Sequence, residues 1–271
     1  MQPHPPAEAK TKLSNCGEAA CKFLPWDSQF FGCRIASVEG HRLTGGALFD
    51  IEQWCKASQI DCLYFLTDFE DQETIRLAEE NLFRLVDIRL TLTATLPDLP
   101  GVPSSAKRVR LGNEHDIPAL RSIARSSHTS TRFYFDASFP RARCDALYET
   151  WIEKSCRGYA DVVFVPELNG RPVGYLSCHL RPDGTGNIGL VGLAFEARGM
   201  EIGAELVQAA QNWFLERRVR QVTVVTQGRN LAAQRLYQRC GFCTHALELW
   251  YHRWFTHSQR RQSDSLQDPL Q

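Results

Sequence analysis

The chain has 271 residues, 43% of them hydrophobic and 23% charged, which is the composition of a globular protein with one large domain or two ordinary ones. Its 31 lysines and arginines equal its 31 aspartates and glutamates, so no bulk attraction to nucleic acid or to an anionic membrane is expected. No apolar run approaches the ~20 residues of a membrane span, and MQPHPPAEAK has no apolar stretch to act as a signal peptide. A cytoplasmic enzyme or binding protein is the expectation.

Ten cysteines in such a chain are expected to stay reduced, as small buried apolar residues. Cys240 and Cys243 form a single C-x-x-C without a second pair, so no metal site is expected.

Residues 1–22 are polar and proline-bearing and read as a tail, as do residues 258–271. LPDLPGVPSSAK, residues 96–107, crowds proline, glycine and serine and reads as a linker. It separates a small segment, 23–95, from a larger one, 108–257. In the first, CRIASVE predicts a strand, ALFDIEQWCKAS a helix and CLYFLT a buried strand. ETIRLAEENL then predicts a helix and RLVDIRLTLTATL a long strand, which makes a βαβαβ unit. WDSQFFG, residues 26–32, reads as core of that unit.

The second segment opens with a helix over EHDIPALRSIAR, an aromatic loop TRFYFDASF and a helix over ARCDALYETWIEKSC. Strands VVFVPEL and PVGYLSCHL flank Asn169-Gly170, a hairpin signal. Strand NIGLVGLAF runs into AFEARGMEIGAELVQ, residues 194–208. There Arg198, Gly199 and Gly203 resemble a phosphate-cradling turn before a helix, with Glu201 where a third glycine is expected. Ile202, Leu206, Ala209 and Trp213 give that helix one buried face. Strand QVTVVTQ, helix LAAQRLYQRC and strand THALELWYHRW complete the chain. LAEENLF (77–83) and LYQRCGF (236–242) share a leucine six residues before a phenylalanine, so the first segment reads as a worn copy of the second, with Ala78 in the place of Tyr237.

Strand, R-G-x-x-x-G helix, strand and N-x-x-A-x-x-x-Y-x-x-x-G-F, over roughly residues 105–255, resemble the GNAT acetyltransferases, which move an acetyl group from acetyl-CoA to an amine. WDSQFFG, RFYFD (132–136) and YETWIEKS are similar to the dTDP-fucosamine acetyltransferase branch, whose acceptor is a nucleotide-linked amino sugar. The resemblance implies an α/β (α+β) fold. Its sheet would be mixed and mostly antiparallel, flanked by helices, with a small domain in front. It implies that the backbone of Leu193 and Phe195 pairs with the pantetheine amides. Main-chain N–H groups from Arg198 through Gly199, Met200, Glu201, Ile202, Gly203 and Ala204 would wrap the pyrophosphate. A carboxylate at 201 is tolerated if it points to solvent. Asn230 caps the next helix, and Tyr237 would protonate the departing thiolate.

For the acceptor, Arg132 is a candidate to meet a phosphate, Phe133 or Tyr134 to stack on a base or sugar, and Asp136 to accept hydroxyls. A hydrophobic plug, with Arg132 and Asp136 paired, is the alternative. The general base stays open among Glu167, Asp136, His128, His179 and a water chain. An acetyltransferase for another amine, and a module that binds acyl-CoA without turnover, are rival readings. A homodimer is an expectation by analogy.

Overall fold

The computed structural model describes residues 21–97 and 108–255, so most of the expected linker and nearly all of both expected tails lie outside the described residues. Contacts divide these into two units, 89–246 on one side and 21–88 with 247–255 on the other. The expected boundaries therefore shift, because the last strand of each segment joins the other segment's unit.

The smaller unit contains β1 (Cys21–Phe23), α1 (Pro25–Phe31), β2 (Ile35–Val38), α2 (Gly45–Ala57), β3 (Cys62–Asp68), α3 (Gln72–Glu80) and the start of β4 (Arg84–Thr95). Helix α1 takes WDSQFFG. Pro25 suits its first turn, and Gly32 ends it at φ +74, a left-handed cap that glycine adopts without strain. Strand β1 is antiparallel to β2, and β2 is parallel to β3. Ala36, Leu48, Ile51, Phe65, Ala78, Phe83 and Tyr251 pack as the core of this unit.

The larger unit adds β5 (Val109–Leu111), α4 (Ile117–Ser127), α5 (Arg132–Phe135), α6 (Arg141–Lys154), β6 (Val162–Leu168), β7 (Arg171–Pro172), β8 (Gly174–Leu180), β9 (Gly186–Leu193), α7 (Ile202–Glu216), β10 (Gln221–Gln227), α8 (Leu231–Arg239) and the start of β11 (Cys243–Trp254), whose residues from 247 on belong to the smaller unit. Its strands run in the order β4-β10-β9-β8-β6-β5, with only β10–β9 parallel. This is the mixed, mostly antiparallel sheet expected. Asn169 and Gly170, at φ +51 and +72, make the tight turn between β6 and β7.

The faint repeat in sequence is the end of a longer structural one. Adding 159 to the numbers of β3, α3 and β4 gives the bounds of β10, α8 and β11, from 62 to 221 at the start and from 95 to 254 at the end. Phe83 N–H donates to the Ala78 carbonyl at 3.0 Å, and Phe242 N–H donates to the Tyr237 carbonyl at 3.0 Å. The third strand of each copy pairs with the first strand of the other: β4 with β10, in which Thr95 faces Gln221, and β11 with β3, in which Trp254 faces Cys62. The 159 shift maps one pairing onto the other residue by residue.

Candidate active site

Strands β9 and β10 pair only over residues 186–188 and 222–224, although β9 continues to Leu193 and β10 to Gln227. Beyond Ile188 they diverge. A bulge in the β8–β9 ladder lies between Leu176 and Cys178, where the Ser177 hydroxyl accepts the Leu190 N–H at 2.8 Å. Ala194 N–H donates to the Val173 carbonyl just before β8, so alternation along the strand turns the N–H groups of Val191 and Leu193 to the open side. The divergence opens a cleft of about 780 Å³ between β9, the N-terminal ends of α7 and α8, and a wall made by residues 126–130 with Tyr148 and Trp151 of α6.

The turn into α7 forms one end of the cleft. Gly199, at φ +76, takes the left-handed conformation open to glycine, and Glu201 takes it too, at φ +62. Glu201 is exposed and caps α7 with its backbone, its carbonyl accepting from Ala204 and Glu205. Among the described residues, no acceptor meets the N–H groups of residues 199–203, which lie at the positive end of a 15-residue helix. Arg108 ties this turn down through the Glu205 carboxylate and the Met200 carbonyl. Gly203 lets α7 approach α8, since a Cβ there would lie 3.1 Å from a Leu236 methyl.

Helix α8 forms the other lip. Asn230 caps it, its side chain accepting from Ala233 N–H at 3.2 Å. Tyr237 lies two turns on and is 4% exposed, and its ring lines the cleft. Burial pushes its phenol well above the ordinary tyrosine range, so it carries its proton at neutral pH. Its hydroxyl meets no protein partner among the described residues.

On the facing wall, the His128 imidazole stacks on Tyr148, with ring centroids 4.3 Å apart and 12° between planes. Its Nε2 lies 2.7 Å from the Tyr175 hydroxyl. Desolvation pushes this imidazole down to about 4, which leaves it neutral at pH 7. Tyr175 passes directly beneath β9: a Cβ on Gly192 would stand 2.6 Å from its hydroxyl, so only glycine fits there.

Residues 120–242, from within α4 to the residue before β11, match the acetyltransferase (GNAT) family. The chain carries a GNAT acetyltransferase domain. It is 28% identical over 238 residues to dTDP-fucosamine acetyltransferase of Escherichia coli O6:H1, covering 87% of this chain and 98% of that protein. It is 30% identical over 139 residues to the spore coat polysaccharide biosynthesis protein SpsD of Bacillus subtilis, covering 51% of this chain and 48% of that one. In fold it is similar to a GCN5-related N-acetyltransferase from Sphaerobacter thermophilus, with a TM-score of 0.62 and 17% identity over 87% of this chain and 76% of that one. A tandem GNAT protein from the clavulanic acid biosynthesis pathway gives a TM-score of 0.55 at 15% identity, covering 82% of this chain and 76% of that one.

Of the residues expected to hold the cofactor, Leu193, Arg198, Gly199, Glu201, Ile202, Gly203, Ala204, Asn230 and Tyr237 all line the cleft. Phe195 and Met200 do not. Strand β9 stops at Leu193, and Phe195 opens a 3-10 turn with its side chain 82% exposed, so Val191 takes its place beside Leu193 on the open strand edge. The N–H groups of Arg198 and Ala204 are already donated to Phe195 and Glu201, which narrows the free row to residues 199–203.

The RFYFD segment is folded inward as α5 and adds nothing to the cleft lining. Arg132 is 2% exposed with its guanidinium 4.3 Å over the Phe133 ring, Phe133 packs edge-on against Phe139, and the Tyr134 hydroxyl donates to Asp145. Asp136 accepts the Ser138 N–H at 3.0 Å. Apolar burial of the two rings outweighs any exposed role for them. Only Phe135 faces outward, beneath the guanidinium of Arg229, which does line the cleft.

Three of the four residues weighed as a base lie outside the lining: Asp136, Glu167, which accepts from Arg110 at 2.9 Å, and His179, whose ring meets Tyr159. His128 is within it. Tyr148, Trp151 and Arg229 line it too; the first two lie in YETWIEKS, but none of the three was expected in the site. The three-residue spacing of Tyr148 and Trp151 on one helix was the available signal. Among the described residues, His41, Asp68 and Glu248 have donor atoms within 4.8 Å of one another and share no residue with the cleft. No helix among the described residues is long and apolar enough to cross a membrane.

Proposed function

We propose that this acetyltransferase moves the acetyl group of acetyl-CoA to the primary amine of a nucleotide-linked 4-amino-4,6-dideoxy sugar, with Tyr237 as the acid. The observation that carries the reading is Tyr237: a protonated phenol, free of protein partners among the described residues, on the lip of the cleft where β9 leaves β10. In this reading the pantetheine amides add to the open edge of β9 at Val191 and Leu193, as a peptide adds to a sheet edge. The pyrophosphate rests on the N–H groups of residues 199–203 at the start of α7. The thioester then lies between β9 and Tyr237.

The amine attacks the thioester carbonyl, the C–N bond forms, and collapse of the tetrahedral intermediate breaks the C–S bond. The thiolate takes the phenol's proton as it leaves. Because the amides of the turn do the holding, a side chain at 201 is compatible with it while exposed, as Glu201 is. The amino-sugar acceptor follows the name of the Escherichia coli relative, which covers most of this chain. The burial of Arg132, Phe133 and Tyr134 favours a second reading, in which the acceptor is another small amine met by Tyr148, Trp151 and Arg229.

The test is release of CoA thiol from acetyl-CoA in the presence of dTDP-fucosamine, other amino sugars, amino acids and peptide N-termini. Turnover confined to dTDP-fucosamine is the expected result. Turnover on a different amine alone moves the acceptor, and acetyl-CoA binding with no turnover on any amine overturns the enzymatic reading.

A further inference from the structure

The cleft contains a second titratable group that the acid step does not use. His128 follows the last residue of α4, and its neighbour Ser127 fixes this corner to β9 by donating to the Ile123 carbonyl at 2.8 Å and the Leu193 carbonyl at 3.2 Å. The imidazole is held on two sides, by the Tyr148 ring against its face and by the Tyr175 hydroxyl at Nε2. That hydroxyl is pressed against β9 at Gly192, one residue from the strand edge read above as the seat of the thioester arm. Nδ1 has no partner among the described residues.

We propose that His128 is the general base of acyl transfer, with Tyr175 as the positioning residue that fixes its tautomer. This rests on the reading that the reaction takes place in this cleft. Nε2–H donates to the Tyr175 oxygen, which leaves the Nδ1 lone pair for the acceptor nitrogen. A phenol oxygen can accept such a bond while remaining protonated, and burial holds the Tyr175 phenol well above its usual range.

The acceptor enters as the neutral amine. As the C–N bond forms, its nitrogen becomes cationic and acidic, and one N–H proton passes to Nδ1. The C–S electron pair leaves with sulfur, which takes the Tyr237 proton. The imidazolium and the phenolate then exchange a proton through water, so the proton lost from nitrogen ends on sulfur and both side chains are restored. The low affinity of His128 for protons suits this order of events. It stays unprotonated until the attacking nitrogen has become a strong acid, and it returns the proton readily.

Two measurements test the proposal. The first needs no acceptor. Long-range 1H–15N spectra of the full chain at pH 7, with His128→Gln as the assignment control, are expected to show His128 protonated at Nε2 and bare at Nδ1. A proton on Nδ1 would overturn the base and make His128 a hydrogen-bond donor toward the thioester oxygen.

The second measures kcat and KM on whichever amine of the panel above the wild type acetylates fastest. His128→Ala is expected to lose about 10²–10⁴ in kcat with the acetyl-CoA KM unchanged, and to regain activity with added imidazole. Tyr175→Phe keeps the ring beneath Gly192 and is expected to lose about tenfold, the worth of one hydrogen bond of roughly 1.4 kcal/mol. Loss without imidazole rescue marks a structural role, and unchanged kcat removes His128 from the chemistry. Both results overturn the proposal. If the wild type acetylates no amine tried, the acceptor reading fails, and the tautomer still decides the question for His128.

Discussion

Residues 62–95 and residues 221–254 trace the same strand, helix and strand, yet the second run lines the cleft described above and no residue of the first does. The difference is set by the strand in front of each. Strand β9 has eight residues and outruns its three-residue pairing with β10, so its far half leaves an open edge. Strand β2 has four residues, three of them paired with β3, and ends before any divergence begins. An open strand edge of this kind needs an unpaired length of strand, and β2 has only Val38 beyond its pairing with β3.

Side chains at matching positions follow the same division. Tyr237 stands where Ala78 is fully buried in the first copy's core, and Gly241, at φ +86, stands where Leu82 takes φ +64. The first copy retains the backbone turn without the residue best suited to it.

Exchanging features between the copies sharpens this contrast. Tyr237→Phe is expected to lower turnover by about 10²–10⁴ with acetyl-CoA affinity unchanged in a calorimetric titration. Near-normal turnover would leave the two copies equally inert at this position. Writing the tyrosine into the other copy is a folding experiment instead. Ala78→Tyr forces a ring into a filled core and is expected to cost about 1–3 kcal/mol in urea unfolding. An unchanged midpoint would show space beside Ala78 that the core packing does not leave.

The turn after each helix gives a smaller effect of opposite sign. Gly241→Ala is expected to destabilise by about 1 kcal/mol, because alanine strains the left-handed conformation in otherwise open space. Leu82→Gly, at a side chain 75% exposed, is expected to stabilise by up to about 1 kcal/mol, and a loss instead would show that this leucine is held by contacts. Smallest is Glu201→Gly. Removing an exposed carboxylate beside the row of free N–H groups is expected to tighten acetyl-CoA two- to five-fold, about 0.5–1 kcal/mol. Affinity that does not move would place the pyrophosphate away from that turn.

The sequence by itself determined what depends on neighbouring residues. Asn230 as a cap, Gly241 past a helix end, Asn169-Gly170 in a hairpin and the free turn at Gly199 each follow from a side chain acting on its own backbone, within a few positions. The family motif is readable for the same reason, since its glycines, cap and tyrosine all lie on one strand–turn–helix passage or the next.

Tertiary structure decided what depends on distant partners. Strands β4 and β11 carry alternating patterns that suit any sheet, and nothing in them states that each would pair with the first strand of the other copy. RFYFD offers aromatic faces and a cation that are equally at home around a ligand or in a core, and helix α6 packs on Phe133 and Tyr134 through Cys144 and Asp145. His128 and Tyr175 stand 47 residues apart, just past the end of a helix and near the start of a strand. Their hydrogen bond exists because α4 packs its C-terminal corner against β9 and because Gly192 has no side chain to keep the phenol away.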